Sequence, residues 1–158
     1  LVLDNNRITD ITALENLAEL KSLSIGDNLI SDISVLAGLG KLSILNLGQN
    51  RITDIGPLGS LVSLTRLSVN DNQVEDITSL RSLSSLEFLN LNGNLVSDIS
   101  PLSALENLEV LRISGNRISD LAPLTGLAKL KSITLNGNNI QPAQIDELKM
   151  ALPGLKLQ

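Results

Sequence analysis

The 158-residue sequence predicts an α/β solenoid: a curved array of similar units with a parallel β-sheet on its concave face, short 3₁₀ or helical turns on its convex face and a helical cap at its C-terminus. Three observations lead to this fold class. An asparagine recurs every 22 residues, apolar positions alternate along a short segment of each repeat, and the last 18 residues change to a helical pattern. A chain with this organisation is one domain or one piece of a longer repeat array.

The repeat period is fixed by seven asparagines that stand 22 residues apart without insertion or deletion: Asn6, Asn28, Asn50, Asn72, Asn94, Asn116 and Asn138. After a partial first unit, further units begin at residues 20, 42, 64, 86, 108 and 130, and we expect the array to cover residues 1–140. A single unit buries too few aliphatic side chains to offset the backbone entropy that is lost on folding. We therefore expect stability to be a property of the stack rather than of the unit.

Each unit opens with the pattern L-x-x-L-x-L, as in "LEFLNL" at residues 86–91, where apolar residues alternate with others. This alternation predicts a short strand that turns positions four and six toward the core and positions three, five and seven toward the concave surface. The asparagine at position nine follows the strand, and its side-chain amide can bond the turn backbone of its own and the neighbouring unit. We interpret the asparagine column as a structural ladder rather than a ligand site.

The second half of each unit, "SDISPLSAL" at residues 97–105 in its clearest form, predicts a short helical turn, with Asp98 at the cap and Pro101 early in the turn. The aspartate forms a column of its own: Asp10, Asp32, Asp54, Asp76, Asp98 and Asp120. Aligned carboxylates could bind calcium. Because each aspartate precedes a helical turn whose N–H groups it can accept, capping is the interpretation that we favour.

The two ends of the chain depart from the repeat. Residues 141–158 predict a C-terminal cap helix and a last strand, with Ile145, Leu148 and Leu152 on one helical face and Met150 as filler at its edge. The N-terminus begins within the pattern, with Leu1 in a strand and no cap before it. We therefore expect the natural protein to continue upstream.

The composition argues against several classes of function. The chain has no His and no Cys, which excludes a hydrolytic triad and a thiolate metal site, and we expect neither catalysis nor a cofactor. A net charge of −5 opposes general binding to nucleic acid, which requires clustered Lys and Arg. No apolar run approaches the roughly 18 residues that a membrane-spanning helix needs, so membrane insertion is not expected.

As a consensus, the units read L-x-x-L-x-L-x-x-N-x-[IVL]-x-D-[IL]-x-x-L-x-x-L-x-x over essentially the whole chain. This pattern resembles the leucine-rich repeat in its 22-residue, bacterial internalin-type form. The resemblance implies a scaffold for protein recognition, and for an internalin-like protein it implies secretion or display at the cell surface. The residues themselves leave the compartment open, including the cytoplasm.

The outward strand positions are free to vary without harming the core, so they carry any functional information. The candidate ligand-binding residues lie at positions three and five of four adjacent middle units: Ile44, Arg66, Phe88, Asn90, Val110 and Arg112. Phe88 is the only aromatic residue of the chain, and an exposed aromatic and aliphatic patch edged by Arg and Asn is typical of a protein-binding hot spot. Alternatively, Phe88 is an ordinary surface hydrophobe that Arg66 covers by a cation–π contact.

The sequence thus predicts a non-enzymatic module that binds a protein or peptide ligand on its concave face. Three alternatives remain open: an intracellular adaptor or regulatory subunit similar to the eukaryotic phosphatase-binding repeats, a structural spacer, and a repeat segment of a larger enzyme. The identity of the ligand and the oligomeric state are not determined by the residues.

Overall fold

The computed structural model describes residues 1–158 and consists of one seven-stranded parallel sheet whose strands follow one another in chain order. The strands are β1 (Ser22–Ser24), β2 (Ile44–Asn46), β3 (Arg66–Ser68), β4 (Phe88–Asn90), β5 (Val110–Arg112), β6 (Ser132–Thr134) and β7 (Lys156–Leu157). Each of β1 to β5 pairs with the strand 22 residues later, residue for residue. The predicted solenoid is therefore confirmed.

Six short 3₁₀ helices return the chain from one strand to the next. They span Thr12–Leu14, Ser34–Gly38, Gly56–Ser60, Thr78–Ser82, Ser100–Ala104 and Ala122–Leu124. Successive 3₁₀ helices pack against one another as the strands do, so every unit contacts mainly its two neighbours. The interior that these compact returns enclose is mainly aliphatic, with the asparagine column as its polar part.

The core is a set of stacked columns, one residue from each unit. At position four the column is Leu23, Leu45, Leu67, Leu89, Leu111 and Ile133, and all six side chains are at most 1% exposed. The neighbouring position-five residues are exposed or half-buried on the opposite side of the sheet. The predicted strand alternation is therefore correct in every unit.

The asparagine column lies at the end of each strand and joins consecutive units. Asn94 is 5% exposed, and its Nδ2 donates to the carbonyl oxygens of Val69 and Leu91, at 3.0 Å each. Its Oδ1 accepts the backbone N–H of Val74 at 3.0 Å. Since the same bonds recur from Asn28 to Asn116, the asparagines form the predicted structural ladder.

The aspartate column caps the 3₁₀ helices from one residue further out than predicted. The N-cap positions are Ile11, Ile33, Ile55, Ile77, Ile99 and Leu121, and each preceding aspartate accepts the backbone N–H two residues after itself. Hydrogen bonds from the N–H and hydroxyl of Ser100 lower the pKa of Asp98, and the hydroxyl and N–H of Thr78 lower the pKa of Asp76. These carboxylates therefore act as hydrogen-bond acceptors for the first backbone N–H groups of the 3₁₀ helices.

The C-terminal helix α1 spans Pro142–Ala151 and packs against the last 3₁₀ helix. Leu148 is fully buried and Leu152 is 8% exposed, while Ile145 is half-buried, so the predicted apolar face points inward. The prediction that Met150 fills a gap at the edge of the core is wrong, because its side chain is 73% exposed. Met150 lies with the exposed Lys149 on the side of the helix that faces away from the core.

The N-terminal segment forms less sheet than the sequence predicts. Instead of a strand, the segment makes a single parallel bridge between Val2 and Ser24. Leu1 is 46% exposed and Val2 is 74% exposed. The segment still bonds along the edge of β1: the N–H of Leu3 donates to the carbonyl oxygen of Ser24 at 2.8 Å, and the N–H of Ser24 donates to that of Leu1 at 3.0 Å.

Candidate binding surface

The solvent-facing side of the sheet, called the strand face below, consists of positions three, five and seven of the units. The parallel register puts Ile44 of β2 beside Arg66, Arg66 beside Phe88, and Phe88 beside Val110. Since adjacent strands of a sheet lie about 4.8 Å apart, these four side chains form one continuous row. Asn90 and Arg112 are paired in the same way along position five.

Phe88 is half-buried, whereas the sequence predicted an exposed ring. The cause is a cation on each neighbouring strand: the guanidinium carbon of Arg66 lies 4.4 Å from the ring centroid and that of Arg112 lies 5.5 Å from it. The contact with Arg66 was anticipated as an alternative explanation of the exposed aromatic. The contact with Arg112 was missed, because it runs diagonally from position three of β4 to position five of β5.

The two arginines keep their hydrogen-bonding capacity free. The ion pairs of the chain are Lys41 with Glu19, at 2.6 Å, and Lys131 with Glu109, at 2.7 Å, and neither includes an arginine. Arg66 and Arg112 are both exposed, and they donate no side-chain hydrogen bond within the chain. Each guanidinium therefore covers an aromatic ring and still offers its N–H donors to an external acceptor.

The apolar part of the row is open at one end. Ile44 is 43% exposed, and Val110 is half-buried on the other side of Phe88. A depression of about 170 Å³ lies between Ile44, Arg66 and Phe88, with Leu45 and Leu67 among its other lining residues. This volume is well below the roughly 300 to 1,000 Å³ of typical small-molecule sites.

Asn90 is less available than its position indicates. Its Nδ2 donates to Oδ1 of Asn70 at 3.3 Å, and its Oδ1 accepts the backbone N–H of Asn92 at 3.1 Å. These two bonds hold the side chain against its neighbours, and Asn90 as a whole is half-buried.

A second, polar part of the strand face was not identified from the sequence. Oδ1 of Asp4 accepts the hydroxyl of Ser24 and the N–H of Gly26, both at 2.7 Å, and Nδ2 of Asn46 at 3.2 Å. A hollow of about 430 Å³ lies over this network. The available signal was glycine at position seven, because a Cβ on Gly26 would come within 2.8 Å of the Asn46 amide nitrogen.

The structure contains no cluster of three or more acidic side chains arranged to hold a metal ion. It also contains no helix whose length and apolar character would allow it to cross a membrane.

Family models of leucine-rich repeats match nearly the whole chain, one over residues 1–52 and another over the overlapping ranges 41–82, 63–104, 84–125 and 106–150. The chain belongs to the leucine-rich repeat family. Its repeats are of the internalin type, as their 22-residue pattern predicted. No curated protein sequence matches the chain significantly.

Solved structures support the same assignment. A leucine-rich repeat protein of Leptospira interrogans superimposes with a TM-score of 0.94 at 23% identity, over 100% of this chain and 42% of that one. Internalin C2 of Listeria monocytogenes gives a TM-score of 0.77 at 30% identity, over 98% of this chain and 78% of that one. The chain thus spans about two fifths of the Leptospira protein.

A plant peptide hormone receptor, RGFR1 in complex with RGF2, also shares the fold. It superimposes with a TM-score of 0.78 at 23% identity, over 94% of this chain and 25% of the receptor chain. Proteins of this family are commonly non-catalytic scaffolds for interaction with proteins or peptides.

Proposed function

We propose that this chain is a non-enzymatic recognition module that binds a protein or peptide ligand on its strand face, the predicted concave face. The ligand contacts are Ile44, Arg66, Phe88, Val110 and Arg112, with Asn90 at their edge. The observation that carries the proposal is the position of Phe88: the only aromatic ring of the chain lies on the solvent side of the sheet, between two arginines.

This row is not part of the hydrophobic core. The core columns are complete without it, and the same position is occupied by Ser22 and Ser132 near the two ends of the array. Aromatic and arginine side chains are enriched among the residues that dominate binding energy at protein interfaces. A row that stacking does not need and that has this composition is best explained by a partner.

Catalysis is the less favoured function. The chain offers no imidazole and no thiol, and several of its hydroxyl groups are used in bonds to the backbone, such as those of Ser60 and Ser82 to carbonyl oxygens of the preceding unit. General acid–base chemistry at neutral pH requires a titratable group that is poised for proton transfer. The residues of the strand face supply binding groups instead.

A display selection with short random peptides tests the proposal. Peptides enriched on the 158-residue chain should lose about 2 kcal/mol of binding free energy, or about thirtyfold in Kd, on Phe88→Ala, and they should also weaken on Ile44→Ser. Val62→Ser is the matched control, because Val62 is 55% exposed and lies outside the strands. Equal binding by all three variants would contradict the proposed surface.

A further inference from the structure

Arg66 and Arg112 form a charged feature that the fold leaves incomplete; they are called the arginine pair below. Both guanidinium groups lie within 5.5 Å of one ring centroid, and they approach that ring from the strands on either side of it. The chain carries 17 acidic side chains, yet the arginine pair has an ion pair with none of them. Two like charges thus contact the same ring, and neither has an ion pair within the chain.

Covering the ring does not account for both arginines. A cation–π contact at an exposed site stabilises by roughly 0.5 to 1 kcal/mol and needs one cation. A second cation over the same ring adds charge repulsion that an apolar side chain at position 112 would avoid. An arginine that covers an aromatic ring also loses side-chain freedom in advance, which lowers the entropic cost of binding a ligand. The arrangement is that of a preorganised site for a carboxylate, which accepts N–H donors from two sides.

The surroundings restrict the ligand to one acid beside an apolar group. The depression next to Arg66 is bordered by Ile44 and Phe88 and has room for a single side chain rather than a larger molecule. Glu87 is exposed on the chain immediately before Phe88, so a run of negative charges would be repelled there. The net charge of −5 opposes extended polyanions such as nucleic acid for the same reason.

We propose that the arginine pair binds one Asp or Glu carboxylate of a protein partner, while an adjacent apolar side chain of that partner occupies the depression between Ile44 and Phe88. This inference rests on the proposed function of the strand face and narrows the chemistry of its ligand. It predicts a partner segment in which a single acidic residue stands next to an aliphatic or aromatic one.

The experiment uses the same display selection, performed in parallel on the unmodified chain and on the double variant Arg66→Gln and Arg112→Gln. Peptides enriched by the unmodified chain should contain Asp or Glu adjacent to Leu, Ile, Val or Phe, whereas the double variant should show no acidic preference. In one such peptide, Glu→Gln should weaken binding at least tenfold on the unmodified chain and less than threefold on the double variant. Arg66→Lys with Arg112→Lys, which retains the charge, should restore part of the preference.

The possible failures are distinguishable. Peptides without an acidic residue that still depend on Phe88 would overturn the carboxylate site and leave the proposed function intact. Peptides that ignore both Phe88→Ala and the double variant, or no enriched peptide at all, would overturn both. Phosphatidylserine vesicles and single-stranded DNA serve as further probes: if these bind through the arginine pair and peptides do not, the partner is not a protein segment. Thermal unfolding verifies that each variant is folded.

A second inference concerns the two Asn-Gly sequences of the chain, Asn92-Gly93 and Asn136-Gly137. Oδ1 of Asn92 accepts the N–H of Ser114 at 2.8 Å, and the N–H of Gly93 donates to the Ser114 carbonyl at 2.8 Å. Asn136 is exposed and its side chain makes no hydrogen bond, and the N–H of Gly137 has no acceptor in the chain. Hydrogen bonds thus hold the Asn-Gly dipeptide in place at residues 92 and 93, and the corresponding bonds are absent at residues 136 and 137.

The structure assigns Asn136 as a site of spontaneous deamidation. The backbone nitrogen of Gly137 forms a bond to the side-chain carbonyl carbon of Asn136, ammonia leaves, and a cyclic imide results. Water then opens the imide to aspartate or isoaspartate, so that the net change is one amide plus one water to one acid plus ammonia. The product carries a new negative charge on the strand face, two strands away from Phe88.

Peptide mass spectrometry after incubation of the folded chain in mildly alkaline buffer tests this assignment. Asn136 should convert to the acid form at least tenfold faster than Asn92, which serves as the control in the same digest. Isoaspartate at residue 136 should be labelled by an isoaspartyl methyltransferase, and Asn136→Gln should remove that signal. Conversion of Asn92 at an equal or greater rate in the folded chain would overturn the assignment.

Discussion

On the buried face of the sheet, the residue at position four is leucine in five successive strands and isoleucine in the sixth, whereas on the strand face position three changes from Ser22 through Ile44, Arg66, Phe88 and Val110 to Ser132. The two columns are one residue apart along the same backbone. Stacking of like on like explains the first completely, since each side chain meets the same shape above and below. It gives no reason for the second, so the requirements of stacking do not determine the residues of the strand face.

The buried columns require a lid at their C-terminal end, and removal of that lid should have the largest effect. We propose that residues 141–158 act as this cap. Their deletion should expose apolar surface under Leu148, lower Tm by about 10 °C or more and promote aggregation, because terminal repeats need a polar outer face. Light scattering and thermal unfolding measure both effects. A truncated chain that remained monomeric with an unchanged Tm would contradict the cap assignment.

The contrast between neighbouring residues on the two faces comes next. Leu89→Ala should lower the free energy of unfolding by roughly 2 to 5 kcal/mol, because it leaves a cavity in a fully buried column. Asn90→Ala should lower it by about 1 kcal/mol or less, because only partly exposed hydrogen bonds are lost. Denaturant unfolding of the two variants measures the difference. Equal losses would mean that the strand alternation does not separate folding from surface chemistry.

The asparagine ladder is polar, but we expect its mutation to destabilise the fold as mutation of a buried residue does. Asn94→Ala should cost about 1 to 3 kcal/mol, because it leaves the buried N–H of Val74 without its acceptor. The carbonyl oxygens of Val69 and Leu91 each lose one donor but keep the amides of Asn72 and Asn116. Asn136→Ala is the matched control, since that amide is exposed and makes no hydrogen bond. Denaturant unfolding should separate the two clearly. A negligible loss for Asn94→Ala would show that water can replace the ladder.

Phe88 tests whether the largest side chain of the strand face contributes to folding. Phe88→Ala should lower the free energy of unfolding by about 1 kcal/mol or less, since the ring lies on the solvent side of the sheet, half-buried and outside the hydrophobic core. Chemical denaturation measures this loss. A cost similar to that of Leu89→Ala would place Phe88 with the core and remove the distinction between the faces at this position.

The exposed aspartate column should give the smallest effect, and its sign follows from the lowered pKa. Hydrogen bonds hold the pKa of Asp10, Asp32, Asp76 and Asp98 below 3.8 in the folded chain. The unfolded chain therefore binds more protons near this pH, so the stabilisation is present above the ordinary pKa and is lost as pH falls through the folded value. Tm should decline below about pH 4, and Asp98→Asn should reduce that decline.

The comparison of the two faces also explains what the sequence could predict. Features that repeat or interrupt a pattern could be predicted from the sequence. The recurrence of Asn94 indicates the period and the ladder, the position of Leu89 indicates the strand register, and the position of Leu148 indicates the C-terminal helix. Half-burial of Phe88 depends on a diagonal contact with Arg112, and the direction of an arginine side chain is not encoded in spacing. The bonds of Asp4 to the following unit were missed for the same reason, since they run between positions of different units.

The in-register stacking has an evolutionary consequence. Duplication of one 22-residue unit between Phe88 and Arg112 would leave every buried contact with an identical neighbour, because all units share one register. It would also move Arg112 one strand further from the ring, by about 4.8 Å. Gain or loss of a whole unit can therefore change which partner the surface binds while the stability of the fold is almost unchanged. Specificity in such an array can evolve through the number of units as well as through substitution of residues.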